Sequence, residues 1–234
     1  VAGSFLFERA HHVRVAGVLY ALDAELLAAS RCYFGGGTAL ALRYGEYRES
    51  VDIDFLVSDK AGYRNLRQKV RQSEGFNALT RRPVAVLRPV VADQYGIRTV
   101  LEVDGEPIKF EIILEGRIAL ETPVPGEHIC GITTLTDLDM AAGKLLVNSD
   151  RWADRTVFSR DVIDLAMMAP GPDLLRRAIA KAESAYGSAI VTDLNGAIDY
   201  LRHNPHRLDD CLRELQMSAT PKAVLLDRIK RLRQ

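Results

Sequence analysis

Along this chain the spacing of apolar positions changes from helical to alternating and back again. Residues 4–29 are rich in Ala, Leu and Glu and predict a helix. An apolar stretch at 31–34 predicts a short strand that runs into Gly35, Gly36 and Gly37, after which Thr38 can cap a short helix through Arg43. DIDFLV at 52–57 reads as a strand, and 60–74 returns to helical spacing with Tyr63, Leu66 and Val70 on the apolar side. Three β-like runs follow near 84–91, 97–103 and 107–114, the last two joined as a hairpin at Asp104-Gly105. Residues 121–131 contain Pro and Gly and predict a loop with one short strand. From Thr134 onward the pattern is helical, with helices expected at 135–149, 159–169, 171–186, 188–203, 205–216 and 220–233. Gly171-Pro172, Asn204-Pro205 and Thr220-Pro221 supply their starts and stops. The fold class is therefore α+β, with the strands in the first half and a helical lobe in the second. The expected domains are 1–132 and 133–234.

Composition narrows the classes without deciding among them. The 234 residues are 47% hydrophobic and 26% charged, ordinary for a globular chain with a real core. No apolar run approaches the roughly 20 residues of a membrane span, and no signal-peptide pattern opens the chain, so a cytoplasmic protein without membrane attachment is expected. The first residue is a valine, which reads as a trimmed or processed start. Cys32, Cys130 and Cys211 are odd in number and lie in no metal-type spacing, as expected of buried free thiols. The zero net charge hides an asymmetry: residues 60–88 hold eight Lys or Arg and one Glu, whereas 101–139 hold nine Asp or Glu against Lys109 and Arg117. Lys60, Arg64, Arg67 and Arg71 recur at helical spacing as a basic stripe. That stripe is either a solvated helix face or an electrostatic track for a triphosphate tail or an RNA backbone.

Candidate chemistry concentrates in CYFGGGTALALRYGEYRESVDIDFLVSD, residues 32–59. Asp52 and Asp54, at i and i+2, point to one face of a strand with their stems roughly 6–7 Å apart. At an effective dielectric near 20 such carboxylates repel by about 2–3 kcal/mol, a cost that a hard divalent cation between them would remove. The glycine corner turns the backbone sharply and opens N–H groups at a helix start, where a phosphate can approach and Thr38 adds a hydroxyl. Taken singly, GGG is a tight turn and DxD a pair of surface carboxylates. Together they form a two-part site, one part for phosphates and one for Mg²⁺. In PIKFEIILEG, Ile108, Phe110 and Ile112 alternate as a core face and set Glu111 opposite. Glu111 is thus a candidate third carboxylate, or an exposed strand Glu beside Lys109. His11-His12 and His203/His206 lack partner ligands at metal spacing and are expected at the surface or at helix ends.

These motifs resemble the AbiEii/AbiGii-type toxins of the nucleotidyltransferase superfamily, which has a polymerase-β-like core. GGTALAL, Arg48, Ser50 and DIDF fall where that family places them. Downstream, TTLTDLDMAAGKLL resembles its lysine motif, with Lys144, and SRDVIDL its RDxxD motif, with Arg160, Asp161 and Asp164. The matched motifs cover residues 32 to about 168. The interval from Gly37 to Asp52 is one residue longer than the family pattern, at GEYR. The resemblance implies a mixed nucleotidyltransferase-like sheet with flanking helices, Mg²⁺ on Asp52 and Asp54, and the β- and γ-phosphates at Gly35–Gly37 and Thr38. It implies that Arg48 and Ser50 steady the loop or touch the nucleotide. Lys144 would reach the triphosphate, Asp161 would organise Lys144 or the acceptor, and Asp164 would give structural support. Without the motif, Lys144 is a snorkelling lysine, and Arg160 and Asp164 pair at i,i+4.

The function so implied is Mg²⁺-dependent transfer of a nucleoside monophosphate from an NTP to an acceptor, tRNA or other RNA included. The bearer would be the toxin of a bacterial toxin–antitoxin or phage-defence pair with a separately encoded antitoxin. Two alternatives stay open at this point. One is a small-molecule nucleotidyltransferase of the antibiotic-modifying type. The other is a catalytically silent binder of nucleotide or RNA with the same fold, which the retained Asp52/Asp54 pair argues against.

Overall fold

The computed structural model describes residues 7–124 and 126–234, so the predicted start of the first helix at 4–6 lies outside the described residues. The chain forms two compact units, one of residues 1–43 and 50–136, the other of residues 44–49 and 137–234.

In the first unit the predicted long helix is two, α1 (Ala10–Ala21) and α2 (Ala24–Ala29). The break falls at Leu22-Asp23, where the Asp23 carboxylate accepts from the Leu26 N–H and starts α2 afresh. β1 (Cys32–Gly35) leads into α3 (Gly36–Arg43). Helix α3 begins at Gly36, so Thr38 sits inside it and is not its cap. Next come β2 (Ile53–Val57) and α4 (Lys60–Val70), which Asp59 caps through the Gly62 N–H at 2.7 Å. A 3-10 turn at Gly75–Leu79 precedes β3 (Ala85–Ala92), β4 (Gly96–Val103) and β5 (Glu106–Leu114). Asp104 and Gly105 both take positive φ (53° and 80°), the backbone that a tight hairpin turn between β4 and β5 demands. The one short strand expected in 121–131 is β6 (His128–Ile129), which pairs as a hairpin with β7 (Ile132–Thr133) just beyond that stretch.

The main sheet runs β1-β2-β5-β4-β3, antiparallel except for the parallel pair β2–β5. One face is core: Ile53, Phe55, Phe110, Ile112, Ile97 and Leu101 are fully buried. Phe34, Phe55, Phe110 and Phe76 form a chain of rings at 4.9–5.5 Å between centroids. The opposite face carries the charged positions of the same strands, which is what period-two alternation dictates once one face is covered.

In the second unit α5 (Asp137–Arg151) packs against α6 (Arg160–Met168), α7 (Pro172–Tyr186) and α8 (Ala189–His203). α9 (Pro205–Glu214) and α10 (Lys222–Arg231) complete it. Pro172 and Pro205 sit in the first turn of their helices, as the sequence requires. Residues 44–49, the segment carrying the GEYR spacing difference, belong to this unit although both flanking segments belong to the first.

Candidate active site

β2 and β5 set the carboxylates of the first unit. Asp54 pairs in register with Gly35 on one side and with Glu111 on the other, and Glu111 in turn pairs with Arg98. Because Ile53, Phe55, Phe110 and Ile112 point into the core, Asp54 and Glu111 share the opposite face on strands about 4.8 Å apart. Glu111 forms a salt bridge to Lys109 Nζ at 3.1 Å, and its side chain is 17% exposed. Asp52 lies two residues before Asp54, at the entry to β2.

The three glycines serve different ends. Gly36 has φ of +69°, and a Cβ there would lie 2.5 Å from Asp54 Oδ2 and 2.8 Å from Asp54 Cβ. Only glycine leaves the Asp54 carboxylate its position beside the N-terminus of α3. Gly35 is a packing requirement, since its Cβ would meet Leu135 and Leu56 side-chain carbons at 2.6 and 2.9 Å. Gly37 lies in the first turn of α3.

Thr38 and Ser50 brace the approach to Asp52. Buried Thr38 donates its hydroxyl to the Asp52 carbonyl at 2.5 Å and lies 2.8 Å from Ser50 Oγ, which can donate back to it. The Ser50 N–H donates to His12 Nε2 at 3.2 Å, and His11 Nε2 lies 2.9 Å from the Val51 carbonyl. His12 is fully buried in the first turn of α1, so of its two expected places it takes the helix end and not the surface. Its ring accepts a backbone N–H two residues before Asp52, a contact between positions 38 residues apart that no local pattern announces.

The second unit holds a separate ion cluster. Arg48 binds Asp164 through Nε at 2.6 Å and Nη2 at 2.9 Å, and donates through Nη1 to the Glu49 carbonyl at 2.8 Å. Tyr47 donates to the same Asp164 carboxylate at 2.7 Å. Lys144 Nζ stands 2.6 Å from Asp164 and 3.1 Å from Asp161, while Arg151 grips Asp161 at 2.8 and 3.1 Å. Asp164 therefore turns to Arg48 and Lys144 rather than to its helical neighbour Arg160. Through these bonds Arg48 ties residues 44–49 to α6. Tyr47 and Arg151 escaped sequence reasoning, because a buried phenol and a helix-end arginine carry no pattern of their own.

Burial by itself would raise the pKa of Asp164. The charges of Arg48 and Lys144 outweigh it and hold the carboxyl well below the usual range. Asp161 is also lowered: burial opposes ionisation, and Lys144 with Arg151 overcomes it. Burial first, then the Asp164 charge, pushes the Tyr47 phenol up, so it stays a donor.

Several other expectations resolve plainly. The cysteines are free thiols, Cys32 and Cys211 buried, whereas Cys130 is only half-buried. His203 is exposed, with Nδ1 2.8 Å from the Asp199 carbonyl at the end of its helix. The basic stripe divides: Arg67 and Arg71 donate to the Asp93 and Ala92 carbonyls at 3.2 and 2.7 Å, while Lys60 and Arg64 are exposed. Among the described residues no three His, Cys, Asp or Glu side chains group closely enough to hold a metal by themselves. No helix among them is long and apolar enough to cross a membrane.

The family model of the nucleotidyl transferase AbiEii toxin, type IV toxin–antitoxin system, matches residues 18–232. The chain belongs to the AbiEii family. It is accordingly a nucleotidyltransferase of the toxin class. Two solved structures from Helicobacter pylori resemble this AbiEii chain. JHP933 is 15% identical over 97% of this chain and 93% of its own, with a TM-score of 0.49. A candidate nucleotidyltransferase is 15% identical over 93% and 92%, with a TM-score of 0.45. No curated protein matches the chain.

Proposed function

We propose that the protein transfers a nucleoside monophosphate from an NTP to an acceptor hydroxyl or phosphate and releases pyrophosphate, with Mg²⁺ as cofactor and RNA, tRNA included, as the acceptor class. The observation that carries this reading is the placement of Asp54 against Gly36 on one side and Glu111 on the other. A phosphate-compatible corner and two carboxylates thereby meet at one end of the parallel strand pair.

The donor set suits Mg²⁺. This ion usually takes one or two carboxylates and completes its shell with water and substrate phosphates, rather than a full protein cage. Asp52 and Asp54 offer that pair, and the missing Cβ at Gly36 lets the Asp54 carboxylate sit directly against the start of α3. Bound there, the metal would supply charge stabilisation to the transferring phosphoryl group. Glu111 would accept the proton of the acceptor hydroxyl as its oxygen attacks the α-phosphorus. One O–P bond forms, the bond to the β-phosphate oxygen breaks, and pyrophosphate leaves with the electron pair. The α3 N-terminus at Gly36 and Gly37 would hold the β- and γ-phosphates. Thr38 and Ser50 would act through Asp52, by fixing the backbone that presents it. Within the second unit, Asp161 and Asp164 would keep the Lys144 ammonium charged and fixed in orientation.

A toxin of this kind would be restrained by a separately encoded antitoxin in a bacterial cytoplasm. The reading is tested by transfer of label from each α-labelled NTP onto bulk tRNA with Mg²⁺. Label on RNA that requires Asp52 supports it, and label that persists in Asp52→Ala overturns it.

A further inference from the structure

Away from the carboxylates, the first unit carries a second feature whose chemistry suits a nucleotide. Beyond the C-terminal ends of β2 and β5 lies a cleft of about 460 Å³, lined among others by Ser58, Lys60, Gln94, Tyr95 and Arg117. Ser58 is four residues beyond Asp54, so the cleft lies roughly 13 Å along the strand from the proposed metal pair. Tyr95 is 68% exposed, the largest exposure among the big apolar and aromatic side chains described.

An aromatic ring this exposed in a tight turn stabilises nothing by burial, yet the turn that presents it is held firmly. Asp93 Oδ1 accepts from the Tyr95 and Gly96 N–H groups at 2.7 and 3.1 Å. From the other side, Tyr63 and Arg67 of α4 and Arg71 at its C-cap donate to the Asp93 and Ala92 carbonyls. Half of the basic stripe thus fixes the turn beside the start of α4. The other half, Lys60 and Arg64, is one helical turn apart on that same stripe and exposed, with no acidic side chain in salt-bridge range among the described residues. The surrounding segment, residues 60–88, keeps its eight-to-one excess of basic residues.

A rigid exposed aromatic, a cleft of single-nucleotide size and unneutralised cations leading from it are the elements that bind single-stranded nucleic acid: stacking for a base, charge for the backbone. A duplex would not serve, because its bases are already stacked. We propose that this cleft and the Lys60–Arg64 face of α4 dock a single-stranded polynucleotide, one base stacking on Tyr95 and the adjoining phosphates lying along Lys60 and Arg64. The inference rests on the nucleotidyl-transfer reading only in that such a strand could be the acceptor; the binding itself requires neither NTP nor Mg²⁺.

The test is fluorescence anisotropy of a short fluorescein-labelled oligouridylate, titrated with the full chain in the absence of NTP and Mg²⁺ over a range of salt. Tyr95→Ala is expected to weaken binding roughly 5- to 150-fold, the worth of one base–aromatic stack, and Tyr95→Phe to restore it. Lys60→Ala with Arg64→Ala is expected to flatten the log–log salt slope by about 1.4, two single-strand phosphate contacts. All three side chains are exposed, so thermal melts of the variants should match the parent. No binding of the oligonucleotide, or binding that Tyr95→Ala leaves unchanged, overturns the proposal. Polyglutamate bound as tightly as RNA, with no dependence on Tyr95, would make the face a docking surface for an acidic protein and also overturn it. Because no transfer is measured, failure of the catalytic reading would leave this result legible.

Discussion

At Gly36 two constraints coincide, a positive φ and the closeness of Asp54. Gly36→Ala would strain the backbone by about 1–2 kcal/mol and push Asp54 from its place. The expected outcome is a lower melting temperature together with a loss of transfer larger than the stability loss explains. Gly45→Ala, also at positive φ but with open space around its Cβ, should cost stability alone. For Asp52→Ala and Asp54→Ala the directions separate: transfer should vanish while the melting temperature changes little, because neither carboxylate belongs to the buried core. The sequence made this much legible, since glycine before a helix and DxD on a strand are local patterns. It did not reveal His12. Replacing it with leucine should leave the Ser50 N–H unpaired, at about 1–3 kcal/mol, whereas glutamine can still accept and should recover most of the loss in a denaturant melt.

Among the elements, strands and helices were read nearly to their ends because their periodicity is local: β4, β5 and all six helices of the second half fall within a few residues of expectation. What sequence could not supply is how segments far apart pair. Arg48 and Asp164 are 116 residues apart, and only tertiary packing decides that Asp164 takes Arg48 instead of Arg160, four residues away on its own helix. This also explains why residues 44–49 belong with the helical unit: Tyr47 and Arg48 both end on Asp164, and the Glu49 N–H donates to the Leu215 carbonyl at 3.1 Å. Asp164→Asn would leave two buried cations undercompensated and should cost about 3–5 kcal/mol in urea unfolding near neutral pH. The pH dependence has a definite sign. Asp161 and Asp164 have folded pKa values below the unfolded value of about 3.9, so their contribution is complete above that pH. It is lost as the pH falls through the folded values. Stability should be flat near neutrality and decline below about pH 4, and the Asp164→Asn protein should show a shallower decline.

For the molecule as a whole, the zero net charge conceals a basic segment at 60–88 and an acidic one at 101–139. The basic segment is partly structural, and only Lys60 and Arg64 of its stripe are left to solvent contacts. Family membership over residues 18–232 makes the chain a nucleotidyltransferase of the toxin class, and the metal, the NTP and the RNA acceptor are the steps proposed beyond that. One measurement reaches all of them. The purified chain is incubated with Mg²⁺, each α-³²P-labelled NTP in turn and bulk tRNA, beside Asp52→Ala and Asp54→Ala. Label on the RNA with one or more NTPs, absent without Mg²⁺ and absent in both variants, is the predicted result. Undiminished labelling in both variants, or labelling that ignores Mg²⁺, would contradict the assignment of Asp52 and Asp54 as the metal pair.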